Sequence, residues 1–363
     1  MATFVPDEIL ENVLSRLPVK CLLRLRCVSK SWLSLISSPR FVKLHLNRSV
    51  QTKSNLNLFM IDGQYFSRWN LYSPDHDHDH VLRPAEIVRH PLRCRKYAIQ
   101  NWGSCDGLIC LSNAFLDDFV CLWNPSTKKS IILPYSSSTL TRNDERTYGF
   151  YYDITNDDYR VVRTTLFGGE IFDYEIKVYS LRSNSWHMLE KFHQGPNFNS
   201  EVAIACGALH WTLGRAEEEE IWIVAFDLAT ERYRVISQPH YSGLPYIISL
   251  STFKGCLSLS CHCYSHANPV DVWLLNEYGE KNEYWSRLVS LPLIPTDNWD
   301  SAAKPLAYSK CGKKVLLEID CTELVWYNLE QESVEDIEDI TMLQDLEHFI
   351  QIYTYSESLV SVS

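Results

Sequence analysis

Three clusters in this chain carry side chains able to hold a metal ion or move a proton. Asp75-His76-Asp77-His78-Asp79-His80 alternates carboxylates and imidazoles. In an extended segment its histidines would project to one side and its aspartates to the other, as in a simple metal clip. The simpler reading is a solvated loop inside a repeat. Cys261-His262-Cys263 with His266 offers four more donors. Two cysteines two positions apart on a strand share one face, however, and that face points into a core. Glu217–Glu220 reads as an exposed hairpin tip. The chain has no Gly-x-Ser-x-Gly elbow, His-Glu-x-x-His pair, Walker-type loop or dinucleotide fingerprint. The expectation is a non-enzymatic protein with no catalytic residue, metal or cofactor.

The segments that carry these clusters have strand character. Beyond Ser49, short runs rich in Val, Ile, Tyr, Phe and Trp alternate with turn residues. One phrase recurs: an aromatic residue on an apolar run, a small or polar turn, then a second run. Its anchors are Tyr72, Trp123, Tyr179, Phe226, Trp273 and Tyr327, spaced 51, 56, 47, 47 and 54 residues apart. A second bulky residue follows seven positions on at Trp186, Tyr233 and Val334, and a longer turn delays it to Trp285 in another copy. Gly107, Gly207, Gly255 and Gly312 mark an earlier hairpin in four copies, and Asn156-Asp157 does so in a fifth. Two hairpins make four strands, which is one propeller blade. The 315 residues after residue 48 therefore predict six blades, with five or seven as alternatives. The run Phe349–Tyr355 has no unit of its own and is expected, over about residues 348–356, to close the ring with the first blade.

The first 48 residues have helical spacing instead. Pro6 suits a helix start, and Asp7 and Glu8 place negative charge at the positive end of its dipole. Ile9, Leu10, Val13, Leu14 and Leu17 form one apolar stripe, which Pro18 ends. Leu22, Leu23 and Leu25 follow on a second helix, Val28, Trp32, Leu35 and Ile36 on one side of a third, and Pro39 begins a fourth. So small a piece cannot bury all these side chains on itself, so it requires a partner surface.

The ordered phrases Val-Pro-Asp-Glu-Ile-Leu, Leu-Ser-Arg-Leu-Pro-Val-Lys, Leu-Leu-Arg-Leu-Arg-Cys-Val-Ser-Lys-Ser-Trp and Ile-Ser-Ser-Pro-Arg-Phe resemble a plant F-box over residues 4–45. Val5 stands where that family usually has Leu. The resemblance implies docking on a Skp-type adaptor, and through it on cullin and a RING protein, within an SCF ubiquitin ligase. Carried over residue by residue, the adaptor contacts are Pro6, Ile9, Leu10, Leu14, Leu17, Pro18, Leu22, Leu25, Val28 and Trp32. The remainder resembles the plant F-box-associated, kelch-like domain. The matching phrases include Leu122-Trp123-Asn124-Pro125-Ser126-Thr127, Asp157-Asp158-Tyr159-Arg160-Val161-Val162, Gly207-Ala208-Leu209-His210-Trp211 and Leu324-Val325-Trp326-Tyr327-Asn328-Leu329. Similar plant proteins include regulators of immune-receptor levels and the S-locus F-box proteins of pollen. The only Gly-Gly doublet is Gly168-Gly169, so the kelch likeness is loose.

These resemblances imply an all-α F-box of three to four helices at 1–48 and an all-β propeller at 49–363. The implied function is a substrate receptor for ubiquitination, with propeller loops binding a target protein; the alternative is a scaffold or decoy binder using its F-box for other contacts. Charge fits that division. Residues 1–48 hold eight Lys/Arg and three Asp/Glu, a net of +5, and the whole chain is −11, leaving −16 for the rest. The large part lacks the basic stripe of a nucleic-acid binder. No stretch approaches the ~18 apolar residues that span a membrane, and the start has no signal-peptide pattern. The twelve cysteines are scattered without a Cys-x-x-Cys pair, so reduced core thiols in cytosol or nucleus are expected.

Overall fold

The computed structural model describes residues 6–52, 55–62, 65–71, 83–92, 98–113, 116–136, 145–167, 173–189, 202–213, 221–240, 246–263, 269–279, 281–291, 303–320, 323–337 and 350–362. It begins with four helices, α1 (Asp7–Leu14), α2 (Val19–Leu25), α3 (Lys30–Ser37) and α4 (Pro39–Thr52). Pro6 and Pro18 each occupy the capping position before a helix. Ser29 caps α3 by accepting a hydrogen bond from the Trp32 amide at 3.2 Å, and Ser38 does the same for Phe41 at the start of α4. The first helix stops at Leu14, three residues short of the Pro18 break. Arg16 and Leu17 donate to the carbonyls of Val13 and Leu14, three residues back, so the last turn tightens. A residue before proline disfavours the α conformation, which accounts for the early exit. Leu14, Val19, Leu22, Ile36 and Phe41 form the core of this bundle.

Six four-stranded sheets follow as propeller blades. The first contains β1 (Leu56–Asp62), β2 (Tyr65–Asn70) and β3 (Arg83–Val88), and the second β4 (Ile99–Cys105), β5 (Leu108–Asn113), β6 (Leu116–Asn124) and β7 (Lys129–Ile132). The third holds β8 (Glu145–Asp153), β9 (Asp158–Phe167), β10 (Asp173–Ser180) and β11 (Ser185–Met188), and the fourth β12 (Ala203–Ala205), β13 (Ala208–Leu213), β14 (Trp222–Asp227) and β15 (Arg232–Ile236). The fifth is β16 (Tyr246–Phe253), β17 (Cys256–Cys263), β18 (Val270–Asn276) and β19 (Tyr284–Leu291), and the sixth β20 (Ala303–Tyr308), β21 (Lys314–Ile319), β22 (Glu323–Asn328) and β23 (Ser333–Asp336). The last strand, β24 (Ile350–Ser356), returns to the first sheet, whose order is β24-β1-β2-β3. The expected closing strand thus stands where every other sheet has its own first strand.

The repeat owes its regularity to turn chemistry. Asp106-Gly107, Cys206-Gly207 and Lys254-Gly255 each place two consecutive residues at positive φ, the tight hairpin that glycine makes accessible. The second hairpin repeats as well. Asn124, Asp227 and Asn328, each directly after an anchor, accept backbone amides two and three residues on. Five residues after the anchor, Lys128, Asn184, Glu231 and Glu332 all adopt positive φ.

The chain divides into two compact units. One holds the helices, the first two sheets and the segment after β24; the other holds the third to sixth sheets. In the first, Phe59, Phe66, Ile109, Leu111, Trp123 and Tyr355 pack the two sheets face to face. In the second, successive sheets bury Val162, Val178, Trp211 and Phe226, then Ile223, Leu250 and Leu259, then Val272, Val289, Leu317 and Tyr327.

Candidate docking site

The helical module sorts the ten expected adaptor residues into three groups. Leu14 and Leu22 are fully buried in the bundle core. Leu10, Leu17, Leu25 and Trp32 pack on that core and remain half-buried. Pro6, Ile9, Pro18 and Val28 are exposed. Ile9 is 55% and Val28 61% exposed, and two residues outside the expected set, Val13 at 53% and Leu33 at 47%, are open as well. The stripe on α1 therefore splits along its length, with Leu10 and Leu14 inward and Ile9 and Val13 outward. Val28 does not share a side with Trp32 and Ile36: α3 begins only after the Ser29 cap, so Val28 lies before the helical period starts.

Polar groups fix this surface in place. His45 on α4 is buried, and its Nε2 lies 3.0 Å from the Leu17 carbonyl oxygen. Burial pushes the His45 pKa down against the pull of that carbonyl, so the ring is neutral and donates Nε2–H. This bond ties α4 to the Leu17-Pro18 corner between α1 and α2. Arg40 and Glu11 form an ion pair at 3.1 Å, with the arginine in solvent and thus a small contribution. Glu8, Ile9, Asn12, Val13 and Arg16 line one shallow depression along the outer side of α1. Apolar side chains rimmed by polar ones on a rigid turn suit the burial of a partner's helix or strand.

Of the clusters considered for chemistry, only Cys261-His262-Cys263 falls within the described residues. Asp75–His80, Glu217–Glu220 and His266 lie outside the described residues, as does the anchor Tyr72. Cys261 is buried in the core between the fourth and fifth sheets, and burial pushes its thiol up to about 12. Among the described residues no group of three or more His, Cys, Asp or Glu could hold a metal ion. The cysteines whose side chains are described, Cys261 among them, are free thiols.

Four of the five described anchors occupy one structural position. Trp123, Tyr179, Phe226 and Tyr327 are each the penultimate residue of the third strand in their sheet and are buried. Tyr179, Phe226 and Tyr327 stand directly opposite Trp186, Tyr233 and Val334, the bulky residues seven positions on. In the fifth sheet a bulge between Val272 and Trp273 shifts the register, so Trp273 faces Arg287 and is half-buried, while Trp285 faces Leu275. In the first sheet Trp69 holds the penultimate place on β2.

Two arrangements had no periodic signature. Leu359, after β24, is buried inside the helical core. The other is a polar cluster joining the fourth and fifth sheets. His210 Nε2 lies 2.9 Å from the Tyr278 hydroxyl, and Arg234 stacks over the Tyr278 ring at 4.6 Å. The same arginine grips Glu283 through two bonds of 2.8 and 2.5 Å. Burial pushes His210 down to about 4.

Comparison with known proteins gives these features a family. Residues 58–356 match the model of the F-box associated beta propeller domain, and residues 5–44 match the F-box domain. The chain is similar to F-box protein CPR1 of Arabidopsis thaliana, 34% identical over 93% of this chain and 84% of that protein. It is similar to F-box/kelch-repeat protein At3g23880 of the same plant, 34% identical over 86% and 85%. F-box protein At4g22390, also from Arabidopsis thaliana, is 31% identical over 91% and 84%. Among the described residues no helix is long and apolar enough to cross a membrane. With four helices in front of six blades, the chain belongs to the F-box proteins that carry an F-box associated β-propeller.

Proposed function

We propose that this protein is the substrate-recognition subunit of an SCF-type ubiquitin ligase. The helices dock on a Skp-type adaptor, which brings cullin and a RING protein, and loops of the propeller hold a target protein. The observation that carries this reading is the open apolar set Ile9, Val13, Val28 and Leu33 on a module matched by the F-box model. Burying a large aliphatic side chain fully stabilises by about 1.5–3 kcal/mol, so four half-open ones supply a usable docking energy. On this reading exposed Pro6 and Pro18 and half-buried Leu10, Leu17, Leu25 and Trp32 add to the contact, and buried Leu14 and Leu22 act by holding the shape. The working division is residues 1–48 for adaptor and 49–363 for target, with α4 running across the boundary.

On this reading the chain makes and breaks no bond. It raises the local concentration of a target lysine near the conjugating enzyme. Its place of work would be cytosol or nucleus, in keeping with free thiols. Affinity purification of the full chain from plant cells, with and without a proteasome inhibitor, tests the proposal. Adaptor and cullin should co-purify, and a bound protein should accumulate when the proteasome is blocked. Adaptor without cullin, with bound proteins indifferent to the inhibitor, would point instead to a scaffold.

A further inference from the structure

Residues 357–362, after β24, form no regular element, yet Ser358, Leu359, Val360 and Val362 are all buried. Three parts of the first unit hold this segment. On the first sheet, the Glu357 carboxylate pairs with Arg68 of β2 at 2.5 Å, and the Glu357 amide donates to the Asn55 carbonyl, just before β1. On the second sheet, the fully buried Asn124 amide donates to the carbonyls of Ser358 at 3.2 Å and Val360 at 2.7 Å. The Ser358 hydroxyl donates to the Asp106 carbonyl at 2.6 Å and accepts the Val360 amide. On the helices, Leu359 enters the cluster of Leu14, Val19, Leu22, Ile36 and Phe41.

Gly107 makes the approach possible. A Cβ there would stand 2.3 Å from Ser358 Oγ and 2.6 Å from the Ser356 carbonyl, and its φ is +79°. Asn124 is committed in both directions, because its Oδ1 accepts the amides of Ser126 and Thr127 in the hairpin of its own blade. A buried irregular segment must satisfy its backbone polar groups, and here side chains of other elements do so.

We propose that residues 357–362 are a strap that completes the helical core and fixes the helices to the first two blades. The docking module is then not autonomous: the chain that forms the blades also supplies a core residue to the helices. The docking face of α1 consequently has a set direction relative to those two blades, so the module works as a rigid arm. Opening the strap would loosen the helices while the third to sixth sheets keep their own cores.

Hydrogen exchange on the full-length chain tests this, comparing the parent with Leu359→Asp and Asn124→Ala. The two substitutions act on different partners of the strap, the helical core around Leu359 and the second sheet at Asn124. Both should speed amide exchange in α1–α4 by about tenfold or more, as expected of a local opening, and leave β8–β23 unchanged. Parent-like protection of α1–α4 in both variants would overturn the proposal. Equal loss of protection across β8–β23 would overturn it too, since the segment would then hold the whole fold. Leu359→Ala, which keeps every hydrogen bond of the strap, should loosen α1–α4 by a smaller factor; no change would contradict the core role of Leu359.

Discussion

The helical module and the sheets bury apolar side chains by opposite strategies. Between the third and fourth sheets, Val162, Val178, Trp211 and Phe226 all reach a closed core built by two neighbouring blades. In the helices, Leu14, Val19, Leu22, Ile36 and Phe41 need Leu359 from elsewhere, while Ile9, Val13, Val28 and Leu33 stay in solvent. Within each compact unit, neighbouring blades complete one another's cores. The helices keep surplus apolar surface in solvent, at Ile9, Val13, Val28 and Leu33 and at Leu44 and Val50 of α4. The described blades therefore close their cores between neighbouring sheets, and the helices keep open apolar surface in line with the proposed docking role.

The comparison breaks first if a blade core proves tolerant. Phe226→Ala empties a buried site between two sheets and should cost about 3–5 kcal/mol in denaturant unfolding. A loss below about 1 kcal/mol would mean that the blade cores collapse easily and are no more determined than the helices. A smaller effect comes from the polar seam of the same sheets. His210, held near 4 by burial, stays neutral in the folded chain while an unfolded histidine takes a proton below about 6.5. Stability from this group is complete above pH 6.5 and is lost as pH falls towards 4, by about 2 kcal/mol at pH 5. Denaturation at pH 7 and pH 5 should show that loss in the parent and not in His210→Gln. The smallest effect on stability belongs to the exposed helical residues, where substitution should stay within about 0.5 kcal/mol.

How much of this was legible in the sequence depends on whether a local rule repeats. The blades were legible because copies share their pieces: Trp123, Phe226 and Tyr327 are each followed by an Asn or Asp that caps the turn and by a left-handed residue five positions on. The closing strand was legible as a run without a unit. The helices were legible as helices, but the stripe on α1 is wide enough to hold both Leu14, which is core, and Ile9, which is surface. Periodicity gives a face and does not give what covers it. Val28 escaped the helical period because the Ser29 cap falls after it. Leu359 and the His210–Tyr278 pair follow from long-range docking of loops and strands, and no spacing rule links residues so far apart.

The central claim is that the exposed apolar residues of the helices dock an adaptor and do not hold the fold. Titration calorimetry of a purified Skp-type adaptor against the full-length parent and the Ile9→Asp/Val28→Asp variant tests it most directly. The parent should bind saturably. The variant should unfold at the parent's denaturant midpoint yet bind about 30-fold or more weakly, as for loss of an interface hot spot. Equal affinity in parent and variant, or a parent that does not bind the adaptor, would contradict the account.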